Sequence, residues 1–446
     1  MAFGVVAILL GLVGLPFYLK RYKVEGLAAM CINGLPVFYA LAFFTGIGVT
    51  TVGTGAYFFV TGALATAIWM FHHRRDSYSE LPKRLSAAPM ALVLLFFMWL
   101  AHHIYERNVT LVTNKEEYYR WAYYIVNWFM ALIMGFVFPL SMERVQRFLR
   151  AVAILGLTSS AIMVIGYVVG LEDVSKSYGA RYAISEQLTD LNYAVCASTS
   201  MGALLGGYLI CQGRLTGRRI AFVIAGAMLL LAAVILGGTR SSMLVILACG
   251  LAVMGIFRLR YIPIAVGGAA VAAVIAIFAV IPLLPEGGVK RTMSPDVLAA
   301  GFGNRFRLLM ESFSILEVAP AFGKTVGLRD VIGATYSHNF TSQVLVETGL
   351  IGITLYLLAV IAIAVKWGKM LVHKQSPLFA IGAPLLMLMV PVFIEAHAHG
   401  SLRNGGLWML LGLMAAHRLE GPLAEHATEE ELLQEQADLQ LVTAGA

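Results

Sequence analysis

Charge is scarce in this chain: Asp, Glu, Lys and Arg make up 13% of its 446 residues, against 59% hydrophobic residues and a mean hydropathy of +0.80. So little polarity excludes an ordinary soluble domain, and no nucleic-acid partner is expected. Cysteine is scarce too, and Cys31, Cys196, Cys211 and Cys249 all fall in apolar stretches, where they act as small hydrophobes and say nothing about redox compartment. The period-two alternation of a membrane barrel is missing. No small-residue cleavage site follows the first apolar run, which ends in LPFYLKRYK, so that run is expected to stay rather than to be a removable signal. Nor is there an internal repeat of the kind common in transporters.

What the chain does have is long apolar runs, near 2–18, 26–44, 55–71, 88–104, 121–140, 151–170, 193–211, 220–236, 242–257, 262–284, 346–365, 377–394 and 402–416. Such runs suit about 30 Å of hydrocarbon, so the expected fold is all-α, a polytopic integral membrane protein. Thirteen runs are counted, but 26–44 is broken by Gly34 and Pro36 and 2–18 is short, so twelve crossings are equally tenable. The organisation expected is an N-terminal helical region over 1–284, a long loop with short helices over 285–345, C-terminal spans over 346–417 and an acidic tail over 418–446.

Lys and Arg mark cytoplasmic connectors, here KRYK, RRDSYSELPKR, MERVQRFLR, GRLTGRR, RLR and KWGKMLVHK. Alternation then puts 105–120, 171–192, GGTRSS, 285–345 and EAHAHGSLRN on the outer face. Those outer segments nonetheless carry cations, among them Arg181, Arg240, Arg291, Arg305 and Arg307. A cationic surface beside a membrane attracts phosphate, and Arg grips two oxygens at once. Arg240, in ILGGTRSSML, lies in a turn too short to leave the bilayer, where an ionisable group is expensive and usually functional; the competing reading is a snorkelling arginine. Arg305 and Arg307 accompany Phe306, Leu309, Met310, Phe313 and Leu316 at helical spacing, and a helix lying along the membrane surface would also explain that pattern.

Ser337 is the expected N-cap of a helix starting at His338, with His338, Thr341, Ser342 and Leu345 on one face. The helix dipole would keep that imidazole neutral and able to take a proton from a hydroxyl; the blander reading is an interfacial hydrogen-bonding residue. Glu347, nine positions on, reads as a helix or interhelical hydrogen-bonding residue. The outer segments contain no Asp-x-Asp pair for Mg²⁺ between phosphates, and Glu395, His397 and His399 in EAHAHG form the sole metal-like cluster, without a recognised ligand frame. No metal or other cofactor is expected.

SHNFTSQVLVETGLIGITLYLL, with His338 and Asn339, resembles the His-Asn…Glu-x-Gly-x-x-Gly signature of the O-antigen ligase and polymerase superfamily. GGTRSSML resembles its Ser/Thr-Arg turn, GNRFRLLMESFSILEVAPAFGKTVG its arginine-bearing loop helix followed by Pro-x-x-Gly, and YGARYAISEQLTDLNYAV, with Arg181 and Asn192, a third outer element. The resemblance implies glycosyl transfer at the periplasmic face of a bacterial inner membrane, from an undecaprenyl diphosphate-linked glycan to a hydroxyl of lipid A-core. It assigns His338 as base, and Arg240, Arg305, Arg181, Arg291, Asn339 and Asn192 to substrate. With no carboxylate standing out as nucleophile, direct attack should invert the anomeric centre. A repeat-unit polymerase and a protein O-oligosaccharyltransferase are the alternatives. No Arg here has Gly eleven positions later, as polymerases often do, and the short tail is unlike the added domain of the protein-modifying enzymes. A lipid-linked glycan transporter is the reading outside enzymes; it would want charge along a pathway rather than on one face.

Overall fold

Backbone amides in hydrocarbon have no water to bond, so an apolar run satisfies them within itself by coiling. The computed structural model describes residues 2–45, 51–76, 87–110, 125–170, 190–210, 217–237, 239–257, 295–326, 337, 339–372, 377–399, 402 and 404–416, and among them there is helix but no strand. In chain order the helices are α1 (Ala2–Asn33), α2 (Leu35–Thr45), α3 (Thr51–Asp76), α4 (Ala87–Thr110), a π-helical turn (Ile125–Met130) running into α5 (Ala131–Val137), α6 (Met142–Val168), α7 (Asp190–Ile210), α8 (Gly217–Gly237) and α9 (Arg240–Phe257). The loop helices α10 (Pro295–Ser312) and α11 (Ile315–Val318) follow, then α12 (Phe340–Val372), α13 (Pro377–His399) and α14 (Gly405–Ala416).

Among the described residues, five helices are long and apolar enough to cross a membrane: Ala87–Val109, Met142–Val168, Ile220–Gly237, Phe340–Met370 and Phe379–Ala398. Gly14–Asn33 and Leu35–Thr45, bent by 80°, make a sixth if taken as one broken span. The break falls at Gly34, as its sequence suggested, and a side chain there would collide with Tyr57 Oη. Among the described residues, other apolar runs give shorter apolar helical stretches, Ala56–Phe71, Asn127–Val137 and Gly405–Ala416. The run 262–284 and the acidic tail lie outside the described residues.

Lipid tails are as apolar as leucine, so helix association in a membrane relies on close packing and hydrogen bonds rather than on burial from water. Both are present. A Cβ on Gly412 would come to 2.5 Å from Leu132 O and one on Gly202 to 2.5 Å from Met387 O, so α14 meets α5, and α7 meets α13, backbone against backbone. Asn33 ties the end of α1 to α6 and α7 through Nδ2, donating to Ser200 Oγ at 2.7 Å and to Val152 O and Cys196 O at 3.4 Å. Stacked Trp128 and Trp408, with centroids 4.4 Å apart, anchor an aromatic core that Trp99, Phe96 and Phe340 extend. At the end of the bundle bearing the basic connectors, buried Glu25 pairs with Arg144 at 3.3 Å and Arg147 at 3.4 Å. Lys366 Nζ and Trp367 Nε1 donate to the terminal carbonyls of α14, where a cation also meets the negative end of the helix dipole.

Candidate functional site

Among the described residues, parts of the segments assigned by alternation to the outer face meet at the other end of the bundle. Three joints hold them.

The first joins the loop to a span. Helix α12 is interrupted at Gly349, whose φ of +62° and ψ of −162° interrupt the helix, so the following amides need outside acceptors. Pro320 O takes the amide of Leu350 at 2.8 Å and Ala321 O that of Ile351 at 3.2 Å, while Val346 O accepts from Lys324 N at 2.8 Å. Gly323, with φ +71°, faces Gly349 so closely that a Cβ on either would lie 2.6 Å from the other's amide nitrogen. The Pro-x-x-Gly and Glu-x-Gly motifs are thus the two halves of one backbone contact. The C-terminal end of α4 holds the same loop: Glu106 Oε2 accepts from Thr325 N (2.5 Å), Thr325 Oγ1 (2.7 Å) and Val326 N (3.1 Å), and His102 Nε2 donates to Gly323 O at 3.1 Å.

The second joint fixes the residues on either side of His338. The cap of α12 is Asn339, not Ser337 as expected: its Oδ1 accepts from Ser342 N at 3.1 Å. Ser337 is displaced from that role because Gln343 Oε1 takes both its amide (2.7 Å) and its hydroxyl (3.1 Å). Gln343 Nε2 in turn donates to Glu347, fully buried, whose other oxygen accepts from Trp99 Nε1 at 2.8 Å. Of the two roles expected for Glu347, within its helix and between helices, it fills both, and it reaches Ser337 through Gln343. Asn339 Nδ2 also donates to His397 O at 3.2 Å.

The third joint was missed in the sequence. Glu395, 2% exposed on α13, accepts from Ser198 Oγ of α7 at 2.9 Å and from Ser241 and Ser242 of α9 at 3.0 and 2.5 Å. It also interacts electrostatically with Arg305 of α10. One carboxylate thereby hydrogen-bonds α13 to α7 and α9 and touches the residue next to Arg240. A lone acid near the end of an apolar helix was the available signal. Two residues further on, His397 Nδ1 faces Phe393 O at 2.7 Å, and a carbonyl cannot donate, so the ring proton sits on Nδ1. That leaves Nε2 to accept the Thr341 hydroxyl at 2.8 Å. Glu395 and His397 thus spend their polar atoms on separate partners.

Of the residues singled out from sequence, Arg305 is exposed on α10 and Asn339 is half-buried at the start of α12. Arg240 is the first residue of α9 and Asn192 lies in the first turn of α7, both described by backbone alone. His338, Arg181 and Arg291 lie outside the described residues.

Residues 225–357 match the family described as O-antigen ligase, a stretch running from α8 past Arg240 and Arg305 to the middle of α12. No curated protein and no solved structure matches the chain. The matched stretch contains the arginine turn, the loop helix, the Pro-x-x-Gly loop and the glycine break that receives it, and over that stretch the chain is similar to the O-antigen ligase family.

Proposed function

We propose that the protein is an O-antigen ligase, transferring a glycan from undecaprenyl diphosphate to a sugar hydroxyl of lipid A-core at the periplasmic face of the bacterial inner membrane. The observation that carries this reading is the Glu395 joint, which ties the start of α9, at the residues next to Arg240, to the helix that also supports Asn339 and leaves the carboxylate in the electrostatic field of Arg305.

A diphosphate-linked sugar already carries a good leaving group, so the enzyme has to orient the acceptor hydroxyl, take its proton and stabilise the departing charge. In the proposed step the acceptor oxygen bonds to the anomeric carbon as the bond from that carbon to the phosphate oxygen breaks. His338 takes the hydroxyl proton, and undecaprenyl diphosphate leaves with the electron pair. Arg240 and Arg305 carry the developing phosphate charge, helped by Arg181 and Arg291. Asn192 contacts substrate, and Asn339, besides capping α12, presents the same substrate-facing segment. Attack from the face opposite the leaving group inverts the anomeric centre. The proposed chemistry uses arginine in place of a divalent ion because the outer segments carry no Asp-x-Asp pair.

The test is transfer by the purified protein from a lipid-linked glycan to lipid A-core, resolved by thin-layer chromatography. A glycosylated core and free undecaprenyl diphosphate support ligation. Elongation of the donor without acceptor would make the protein a polymerase, and unchanged donor and acceptor a transporter.

A further inference from the structure

The loop helix α10 shows two apolar faces, of which the protein covers one. At 3.6 residues per turn, Leu308 and Ser312 lie on one side and are buried, with Ile315 continuing the covered stripe in α11. Almost opposite lie Phe306, Leu309 and Met310, followed by Phe313 in the closing turn, and these are 56%, 36%, 53% and 47% exposed. The flank between them is polar and satisfies itself: Arg307 donates to Asn304 Oδ1 at 2.9 Å and pairs with Glu311 at 3.6 Å. Arg305 falls on the other border, between the bare apolar face and the covered stripe.

We propose that α10 is an in-plane helix seated in the outer leaflet, with lipid acyl chains as the occupant of its Phe306–Phe313 face. Three features select lipid over water or a second copy of the chain. Large apolar side chains set against a charged flank are the composition of helices that lie at the headgroup and acyl boundary. The bare surface continues through exposed Val318 and Phe322 to the place where the loop bonds to α12 at Leu350, itself exposed like Ile351, Leu357, Leu358, Ile361 and Val365 along the same membrane-spanning helix. Phe322 also stands beside α4, its ring 6.0 Å from that of His102, where Ile104 and Tyr105 are exposed. The apolar face of α10 is therefore the upper rim of a surface that two spanning helices already present to lipid. For the proposed function, on which this consequence rests, immersion of α10 sets Arg305 at headgroup depth, where a lipid-linked diphosphate lies.

Spin labels test the placement without any activity measurement, so its failure is separate from failure of the ligase reading. Cys31, Cys196 and Cys249 are buried and free, so replacing Cys211 gives a background for single cysteines at Phe306, Met310, Phe313, Asn304 and Arg307. In nanodiscs of phosphatidylethanolamine and phosphatidylglycerol, labels at 306, 310 and 313 should have an oxygen-to-nickel-complex accessibility ratio several-fold above labels at 304 and 307. Equal ratios, or preferential collision with nickel at 306 and 310, place the face in water and overturn the proposal. So does low accessibility to both reagents with spin–spin broadening, which marks a second copy on that face. Hydroxyl-radical footprinting of the unaltered protein checks against any effect of the labels: Met310 should be protected in nanodiscs, and rapid oxidation there counts against lipid cover.

Discussion

Replacing Glu395 separates the hydrogen-bond capacity of the third joint from its charge. The Glu395→Gln side chain keeps one oxygen for Ser198 and Ser242, while its amide nitrogen faces Ser241, whose hydroxyl can turn and accept. All three bonds survive but lose charge assistance, roughly 1 kcal/mol each. The variant no longer buries a charge, and that relief is itself worth several kcal/mol. The two effects nearly cancel, and Glu395→Gln should unfold within about 1 kcal/mol of the parent. Glu395→Ala removes every acceptor. Ser198 has a fallback in Val195 O at 3.0 Å, but Ser241 and Ser242 lose a buried carboxylate partner at about 1–3 kcal/mol each, and a cavity remains. The expected loss is about 3–5 kcal/mol. Thermal and SDS unfolding in detergent measure both. Glu395→Ala matching Glu395→Gln within about 0.5 kcal/mol would refute the account, because the hydroxyls then do not depend on the carboxylate. In transfer assays Glu395→Gln should raise the KM for donor through Arg305 while folding normally, which a purely structural role would not do.

His338→Ala should still bind donor yet lose on the order of 10²–10⁴ in single-turnover transfer; loss of donor binding instead would move His338 to the phosphate site, and near-parental transfer would make it an anchor. Arg240→Lys and Arg305→Lys should insert and fold but turn over poorly, since Lys keeps the charge and loses the fork; near-normal rates in both count against bidentate recognition. Gly349→Ala should destabilise by roughly 1–3 kcal/mol from backbone conformation alone, and by more once the loop is pushed away; limited proteolysis around 320–324 reads the released loop, and an unchanged pattern contradicts the contact. Transfer should persist in chelator-treated, metal-free buffer, and activity restored only by Mg²⁺ or Mn²⁺ would reverse that expectation.

The helical membrane fold was legible because lipid imposes it: the described segments are helices where apolar runs were read, and Gly34 breaks the chain where it breaks the run. The glycine motifs were visible as a resemblance, but not their reason, since Gly323 and Gly349 meet through backbone bonds between segments distant along the chain. The cap was misread because Ser337 and Asn339 are both good capping residues, and only the position of Gln343 decides between them. Glu395 was grouped with its sequence neighbours His397 and His399, whereas its serine partners lie 153, 154 and 197 positions away. Periodicity reports neighbours within a helix and carries nothing about such partners.

That separation also orders the protein's biogenesis. Ser198, Ser241 and Ser242 enter the membrane with the seventh and ninth helices, and Glu395 is synthesised long after them. A carboxylate is among the least welcome groups a translocating helix can carry, yet this one arrives to find hydroxyls waiting. The earlier helices act as a receptor for the insertion of a later one, and a nascent chain that stops short of α13 holds a polar notch with nothing to fill it.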